Sequence, residues 1–221
     1  LPVLNESAMV AAVGVVQRLL KQVATYQPDH IRLVATGAVR DASNGNDFVK
    51  CVRTATGHDL AILSGDEEAT GIAVGLATDP ALTGKPDFLA CDLGGGSLEL
   101  ILVENRAVRA KTSLPLGAIR LAERFINEVK HSVTREEIDA IELHVCETLA
   151  ESNFPFPSIV NDFVVTGGSF VAVRAILAER DCISFSDRSL VGQCEIAGLL
   201  AEISELTLSR RIERFPPLSP N

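Results

Sequence analysis

The stretch "CDLGGGSLEL" at residues 91–100 decides the fold class, because it joins two apolar runs through three consecutive glycines. The residues that follow the glycines alternate between polar and apolar from Ser97 to Leu100, which predicts a strand rather than a helix. A dinucleotide-binding loop would need a helix at this point, and a Walker loop would need a G-K-[ST] ending, so both are excluded. The stretch therefore predicts a hairpin with a glycine turn, whose backbone N–H groups can face an anion.

Carboxylates flank this turn on both sides. Asp92 ends the first apolar run and could hold a hard cation such as Mg²⁺ through water, while Glu99 follows the glycines in the next run. The plainer alternative is a tight hairpin in which Asp92 only caps the turn. A second glycine turn, "VVTGGSF", places Gly167, Gly168 and Ser169 between a predicted strand and a predicted helix, where unpartnered helix N–H groups suit anions.

The chain upstream of this hairpin predicts a separate α/β layer. Apolar residues at helical spacing predict an amphipathic helix over 6–25, and strands and helices then alternate as far as a Pro- and Gly-rich segment at 78–87. Three apolar or alternating runs with short turns follow, which predict an antiparallel meander. We therefore expect two domains, at residues 1–80 and 81–221.

The segment "ILSGDEEATG" contains two glutamates with different predicted tasks. Ser64 and Glu67 have the spacing of a capping box, so Glu67 is expected at the start of a helix as its cap. Glu68 has no such task and is a candidate to accept a proton from water, the alternative being that it only favours the helix dipole. Arg40, in a predicted loop after a strand, could clamp phosphate oxygens, the alternative being a solvated or salt-bridged arginine.

Composition limits the classes of protein that the chain can be. It has 221 residues, 47% of them hydrophobic and 22% charged, as expected of a globular protein. No apolar run approaches the roughly 18 residues of a membrane span, so we expect no membrane partner. Five scattered cysteines favour a reducing cytoplasm, and the net charge of −9 argues against a DNA partner.

The order of these motifs resembles the exopolyphosphatase and guanosine pentaphosphate phosphohydrolase (Ppx/GppA) family. The matching motifs are A-T-x-x-x-R, S-G-x-E-E-A, D-x-G-G-G-S-x-E, P-L-G-A-x-R-L and T-G-G-S, and they extend over essentially the whole chain. The resemblance implies the actin-like, ribonuclease-H-like α/β fold of the sugar kinase and heat-shock ATPase superfamily, with two domains closing on a phosphate-binding cleft. It also implies Mg²⁺-dependent hydrolysis of terminal phosphate from polyphosphate or guanosine pentaphosphate (pppGpp).

The resemblance also implies a role for each matching residue. Arg40 corresponds to the phosphate-clamping arginine and Glu68 to the catalytic base. Asp92 corresponds to the metal-associated aspartate, and Glu99 joins it as a candidate ligand. The expected phosphate-binding residues are Gly94, Gly95, Gly96, Ser97, Gly167, Gly168 and Ser169.

Two departures from the family pattern lead to further expectations. The chain starts downstream of the family's D-x-G-S-N-S loop and stops before its R-A-D segment and last helix, so we expect an incomplete first domain and weak or absent turnover by this chain alone. An actin-like small-molecule kinase and a degenerate alarmone- or nucleotide-binding module are the alternative functions. The choice between polyphosphate and pppGpp, and whether the protein forms a homodimer, are left open.

Overall fold

The computed structural model describes residues 2–218, which fall into two compact units, Leu1–Gly71 and Ile72–Asn221. The first contains a two-stranded sheet and the second a four-stranded sheet. Along the described residues, no helix combines the length and the apolar composition that crossing a membrane requires. The assignment of domains to 1–80 and 81–221 stays a prediction.

The first unit packs helices against a short parallel sheet. Strands β1 and β2 pair in parallel, with Leu33 opposite Leu60. Phe48, Val52 and Leu60 form the buried core, and the apolar face of the first helix packs on it, as its helical spacing predicts. The elements are α1 (Glu6–Ala24), β1 (Leu33–Ala35), α2 (Gly37–Arg40), α3 (Gly45–Thr56), β2 (Leu60–Ile62) and the start of α4 (Gly65–Ala77).

The prediction that Arg40 lies in a loop is wrong, because Arg40 is the last residue of the one-turn helix α2. The N–H groups of Val39 and Arg40 both donate to the carbonyl oxygen of Thr36, at 3.0 Å. Four residues are too few to show a hydrophobic period, so the sequence could not reveal this turn of helix. The next helix lies close to it, since a Cβ on Gly45 would be 2.2 Å from the oxygen of Val39.

The second unit is built on the predicted meander. Strands β3, β4 and β5 are antiparallel neighbours, β6 is parallel to β3, and the sheet order is β5-β4-β3-β6. A two-residue turn at Asn105 and Arg106, both with positive φ, joins β4 to β5. The elements are β3 (Phe88–Leu93), β4 (Leu98–Glu104), β5 (Ala107–Leu114), α5 (Ala118–Phe125), α6 (Arg135–Glu151), β6 (Phe163–Thr166), α7 (Gly168–Arg180), α8 (Gln193–Ser204) and α9 (Leu208–Arg214), with short 3-10 turns at Pro80–Leu82 and Pro216–Leu218.

One face of this sheet carries the main core of the second unit. Leu89, Cys91, Leu100 and Leu102 are buried together with Leu116, which precedes α5. A separate cluster of Ile176, Leu199 and Phe215 joins the C-terminal helices. Helix α6 begins with a capping box between Thr134 and Glu137, and helix α9 is an element that the sequence did not predict.

Candidate active site

Arg40 and Glu68, the two catalytic candidates of the first unit, are in direct contact. The Nη1 atom of Arg40 donates to Oε2 of Glu68 at 2.8 Å and to the carbonyl oxygen of Leu63 at 3.1 Å. The side chains remain 22% and 17% exposed, so both groups are shielded but reachable. A salt-bridged Arg40 was one of the two interpretations of the sequence, and its role as a phosphate clamp stays a prediction.

The neighbouring glutamate, Glu67, caps helix α4 as predicted. Its Oε2 accepts from the backbone N–H of Ser64 at 2.8 Å, and its own N–H donates to Oγ of Ser64 at 3.2 Å. The backbone hydrogen bond from Ser64, followed by that from the Ser64 hydroxyl, lowers the pKa of Glu67 from its ordinary value of 4.5. The cap therefore keeps Glu67 turned to the helix end, while the next residue, Glu68, contacts Arg40.

In the second unit, four polar residues lie side by side across the sheet, one on each strand. Register places Glu99 of β4 opposite both Asp92 of β3 and Ser113 of β5, and Thr166 of β6 opposite Asp92. The Ser113 hydroxyl donates to Oε1 of Glu99 at 2.6 Å, and the Thr166 hydroxyl donates to Oδ1 of Asp92 at 2.7 Å. We call Ser113, Glu99, Asp92 and Thr166 the polar row.

The polar row places two carboxylates directly opposite each other. Glu99 is only 1% exposed, and like charges at facing positions of an antiparallel pair repel. Burial, followed by the negative charges of Asp92 and Glu99, raises the pKa of the neighbouring Cys91 thiol to about 12.

The glycine turn, residues 94–97, is held by the first turn of α5. The carbonyl of Gly94 accepts from the N–H of Ala118 at 2.9 Å, and that of Gly95 accepts from the N–H groups of Ile119 and Arg120 at 3.0 and 3.1 Å. The next carbonyl, of Gly96, accepts from Nε of Arg120 at 2.8 Å.

These contacts fix the direction of the turn's N–H groups. The peptide groups are trans, so the N–H of each one points away from its carbonyl. With the carbonyls of Gly94, Gly95 and Gly96 directed to α5, the N–H groups of Gly95, Gly96 and Ser97 point to the opposite side. This is the arrangement in which successive N–H groups can bind an anion.

Two other glycines permit the close packing around this turn. A Cβ on Gly117 would be 2.3 Å from the carbonyl oxygen of Gly95, which is too close for any side chain. Gly167 has a φ of +99°, and a Cβ there would be 2.3 Å from the carbonyl oxygen of Leu93 and 3.0 Å from Oδ1 of Asp92. The predicted second turn, Gly167–Ser169, thus lies beside Asp92, and α7 begins at Gly168.

Sequence reasoning missed Ser113, Thr166, Gly117 and Arg120. Gly117 and Arg120 lie in the P-L-G-A-x-R-L motif and Thr166 lies in the T-G-G-S motif, but the motifs alone assign no task to these three residues. Counting strand register from the Asn105–Arg106 turn would have given Thr112 instead of Ser113, because a bulge shifts the β4–β5 pairing by one residue between Leu102 and Val103. Across residues 2–218, the structure contains no cluster of three or more His, Cys, Asp or Glu side chains that could hold a metal by themselves.

A model of the Ppx/GppA phosphatase family matches residues 2–214. The chain belongs to the Ppx/GppA phosphatase family. Two solved structures share its fold: an exopolyphosphatase from Cytophaga hutchinsonii, with a TM-score of 0.80 at 22% identity over 98% of this chain and 70% of that one, and the Aquifex aeolicus family member, with 0.74 at 21% over 98% and 69%. The α/β fold expected of a Ppx/GppA protein is thereby confirmed.

Curated relatives of this Ppx/GppA chain carry the name guanosine-5'-triphosphate,3'-diphosphate pyrophosphatase. The one from Vibrio vulnificus is 36% identical over 100 residues, or 45% of this chain and 20% of that protein. The one from Aliivibrio fischeri (strain MJ11) is 33% identical over 122 residues, or 55% of this chain and 24% of that protein. The matched stretches thus span less than a quarter of these relatives' length.

Proposed function

We propose that the protein is a phosphohydrolase that releases terminal phosphate from pppGpp, inorganic polyphosphate or both by Mg²⁺-assisted attack of water. Membership of the Ppx/GppA phosphatase family supports the reaction class. The name of the curated relatives supports pppGpp, and the name of the Cytophaga protein supports polyphosphate.

The observation that carries the proposal is the contact between Arg40 and Glu68. Hydrolysis of a phosphoanhydride needs a group that orients or deprotonates water and a cation that stabilises charge on the transferred phosphate. Glu68 is suited to the first task because Glu67, and not Glu68, caps the helix. Arg40 is suited to the second, since a guanidinium forms paired hydrogen bonds with phosphate oxygens.

The glycine turn supports phosphate binding in the second unit. The N–H groups of Gly95, Gly96 and Ser97 point away from α5, and the three turn carbonyls are already bonded to that helix. Gly168 and Ser169 add the N-terminus of α7, where N–H groups also lack helical partners. We assign all of these residues, with Gly94 and Gly167, to binding substrate phosphates.

The donor set beside the turn fits Mg²⁺. This ion prefers oxygen ligands and is commonly held by one or two carboxylates, with water and substrate phosphates completing its shell. Asp92 offers a half-buried carboxylate whose orientation is fixed by Thr166, and we assign it as the ligand. Glu99, almost fully buried, would act as a neighbouring negative charge or a second ligand. Bound there, the ion would neutralise charge on phosphate oxygens.

Isotope labelling tests the reaction directly. The full-length protein is incubated with Mg²⁺ and either pppGpp or tripolyphosphate in H₂¹⁸O, and the products are analysed by ³¹P NMR. We expect inorganic phosphate carrying one ¹⁸O, because water attacks the terminal phosphorus, and we expect chelation of Mg²⁺ to stop the release. Calorimetric binding without phosphate release would instead indicate a binding module, and transfer of phosphate to an added alcohol or acid would indicate a kinase.

A further inference from the structure

The side chain of Arg120 binds the glycine turn from the side of helix α5. Its Nε donates to the carbonyl oxygen of Gly96 at 2.8 Å, and its side chain is half-buried. We propose that Arg120 is a positioning residue, which sets the orientation of the Gly96–Ser97 peptide for phosphate binding. The proposal rests on the phosphate-binding task assigned above to the turn.

The backbone of α5 supplies donors for only part of the turn. The N–H of Ala118 bonds to Gly94, and those of Ile119 and Arg120 both bond to Gly95. These are the first three N–H groups of the helix, so the carbonyl of Gly96 is reached by a side chain instead. Arg120 thus continues, with its guanidinium, the row of donors that the helix backbone begins.

A fixed orientation matters at this peptide because Gly96, which precedes it, adopts almost any backbone conformation. Rotation of the Gly96–Ser97 peptide changes ψ of Gly96, where glycine offers little steric resistance, and φ of Ser97, where the side chain offers more. Rotation of the Gly96–Ser97 peptide would turn the Ser97 N–H toward α5 and present a carbonyl oxygen to the phosphate. The bond from Arg120 holds the carbonyl of Gly96 on the helix side and so keeps the Ser97 N–H on the other.

The charge of Arg120 also strengthens the donor that it orients. A hydrogen bond from a guanidinium to a carbonyl polarises the peptide, which makes the N–H at its other end a better donor. A control on the same helix, Arg124, can separate this specific hydrogen bond from a general effect of positive charge near the turn. Arg124 carries the same charge one turn later, but it contacts His144 at 3.1 Å and stacks on the Phe125 ring.

The test compares the wild-type full-length protein with Arg120→Met, Arg120→Lys and the control Arg124→Met. Binding of tripolyphosphate is measured by calorimetry, and the amide signals of Gly95, Gly96 and Ser97 are followed by NMR with and without it. We expect Arg120→Met to weaken binding about tenfold, the scale of one hydrogen bond, and to shift the Ser97 amide before any ligand is added. Arg120→Lys should recover most of the affinity, and Arg124→Met should bind as the wild type does.

Kinetics and stability separate positioning from a structural role. If Arg120 acts through the turn, Arg120→Met raises KM for phosphate release more than it lowers kcat, while Tm changes no more than in Arg124→Met. Wild-type affinity in Arg120→Met, or an equal loss in Arg124→Met, would overturn the proposal.

The outcomes also distinguish this proposal from the proposed function. If the wild type releases phosphate but Arg120→Met leaves the turn amides and the affinity unchanged, the positioning role fails and the function stands. If the wild type releases none, yet its Ser97 amide responds to tripolyphosphate in a way that depends on Arg120, the function fails and the positioning role stands. If tripolyphosphate does not shift the turn amide signals of the wild type, the positioning role is overturned whatever the activity.

Discussion

The two units hold their candidate carboxylates in different ways. In the first, Glu68 lies on the first turn of a helix and contacts the charged Arg40, 28 residues earlier in the chain. In the second, Asp92 and Glu99 lie inside strands and accept hydrogen bonds from the neutral hydroxyls of Thr166 and Ser113. The first arrangement depends on a helix cap and an ion pair, whereas the second depends on strand register and close backbone packing.

The largest expected effect separates the two adjacent glutamates of the first unit. Glu68→Gln should lower kcat for phosphate release by about 100-fold or more, the scale of losing a general base, with little change in Tm. Glu67→Gln should lower Tm only slightly and leave kcat much closer to the wild type, because it removes the negative charge at the helix N-terminus while an amide oxygen can still accept from the Ser64 N–H. Steady-state phosphate release and thermal unfolding of both variants provide the measurement.

Equal rates in the two variants, or a slower Glu67→Gln, would show that cap and base are assigned the wrong way round. The contact between Glu68 and Arg40 would then have no catalytic role, and the first unit would not supply the general base.

The second unit should be most sensitive at its backbone contacts. Gly117→Ala forces a Cβ against the carbonyl of Gly95, so we expect it to lower the free energy of unfolding by about 1–3 kcal/mol and to reduce phosphate binding. Gly75→Ala is the matched control, since it lies in α4, where an added Cβ would meet nothing within 4 Å, and should gain about 0.5–1 kcal/mol. Urea unfolding measures both, and a neutral Gly117→Ala would mean that the turn moves freely against α5.

A conservative change tests the geometry of the ion pair. Arg40→Lys keeps the positive charge but cannot form two parallel hydrogen bonds with phosphate, so we expect kcat/KM to fall about tenfold. Calorimetry with tripolyphosphate shows whether the loss is in binding. Wild-type kinetics in this variant would mean that Arg40 does not clamp phosphate and is only a structural partner of Glu68.

The smallest expected effect is on acid stability. Because the pKa of Glu67 lies below its ordinary 4.5 in the folded protein, the cap contributes stability fully above that pH and loses it as the pH falls through the folded-state pKa. The Tm difference between the wild type and Glu67→Gln should therefore shrink as the pH falls from about 6 to 3. Ser64→Ala, which removes the hydroxyl partner, should show a weaker pH dependence, and a constant Tm difference would contradict the assignment.

The sequence predicted the features that follow from local pattern. The meander, the glycine hairpin and the cap at Glu67 follow from alternation, turn residues and spacing, and the structure confirms them. The contact of Arg40 with Glu68 could not be predicted from residue types, because it depends on how α2 and α4 lie relative to β1 and β2. The hydrogen-bond donor to Asp92 could not be predicted either, since Thr166 is 74 residues away along the chain.

The polar row also has a consequence for the order of folding. Ser113, Glu99 and Asp92 come from one contiguous meander, whose short hairpins close early because little chain entropy is lost in joining them. Strand β6 must close a much longer loop before Thr166 can reach Asp92. We therefore expect the meander to form with its carboxylates already facing each other, before β6 docks and brings the hydroxyl that fixes Asp92.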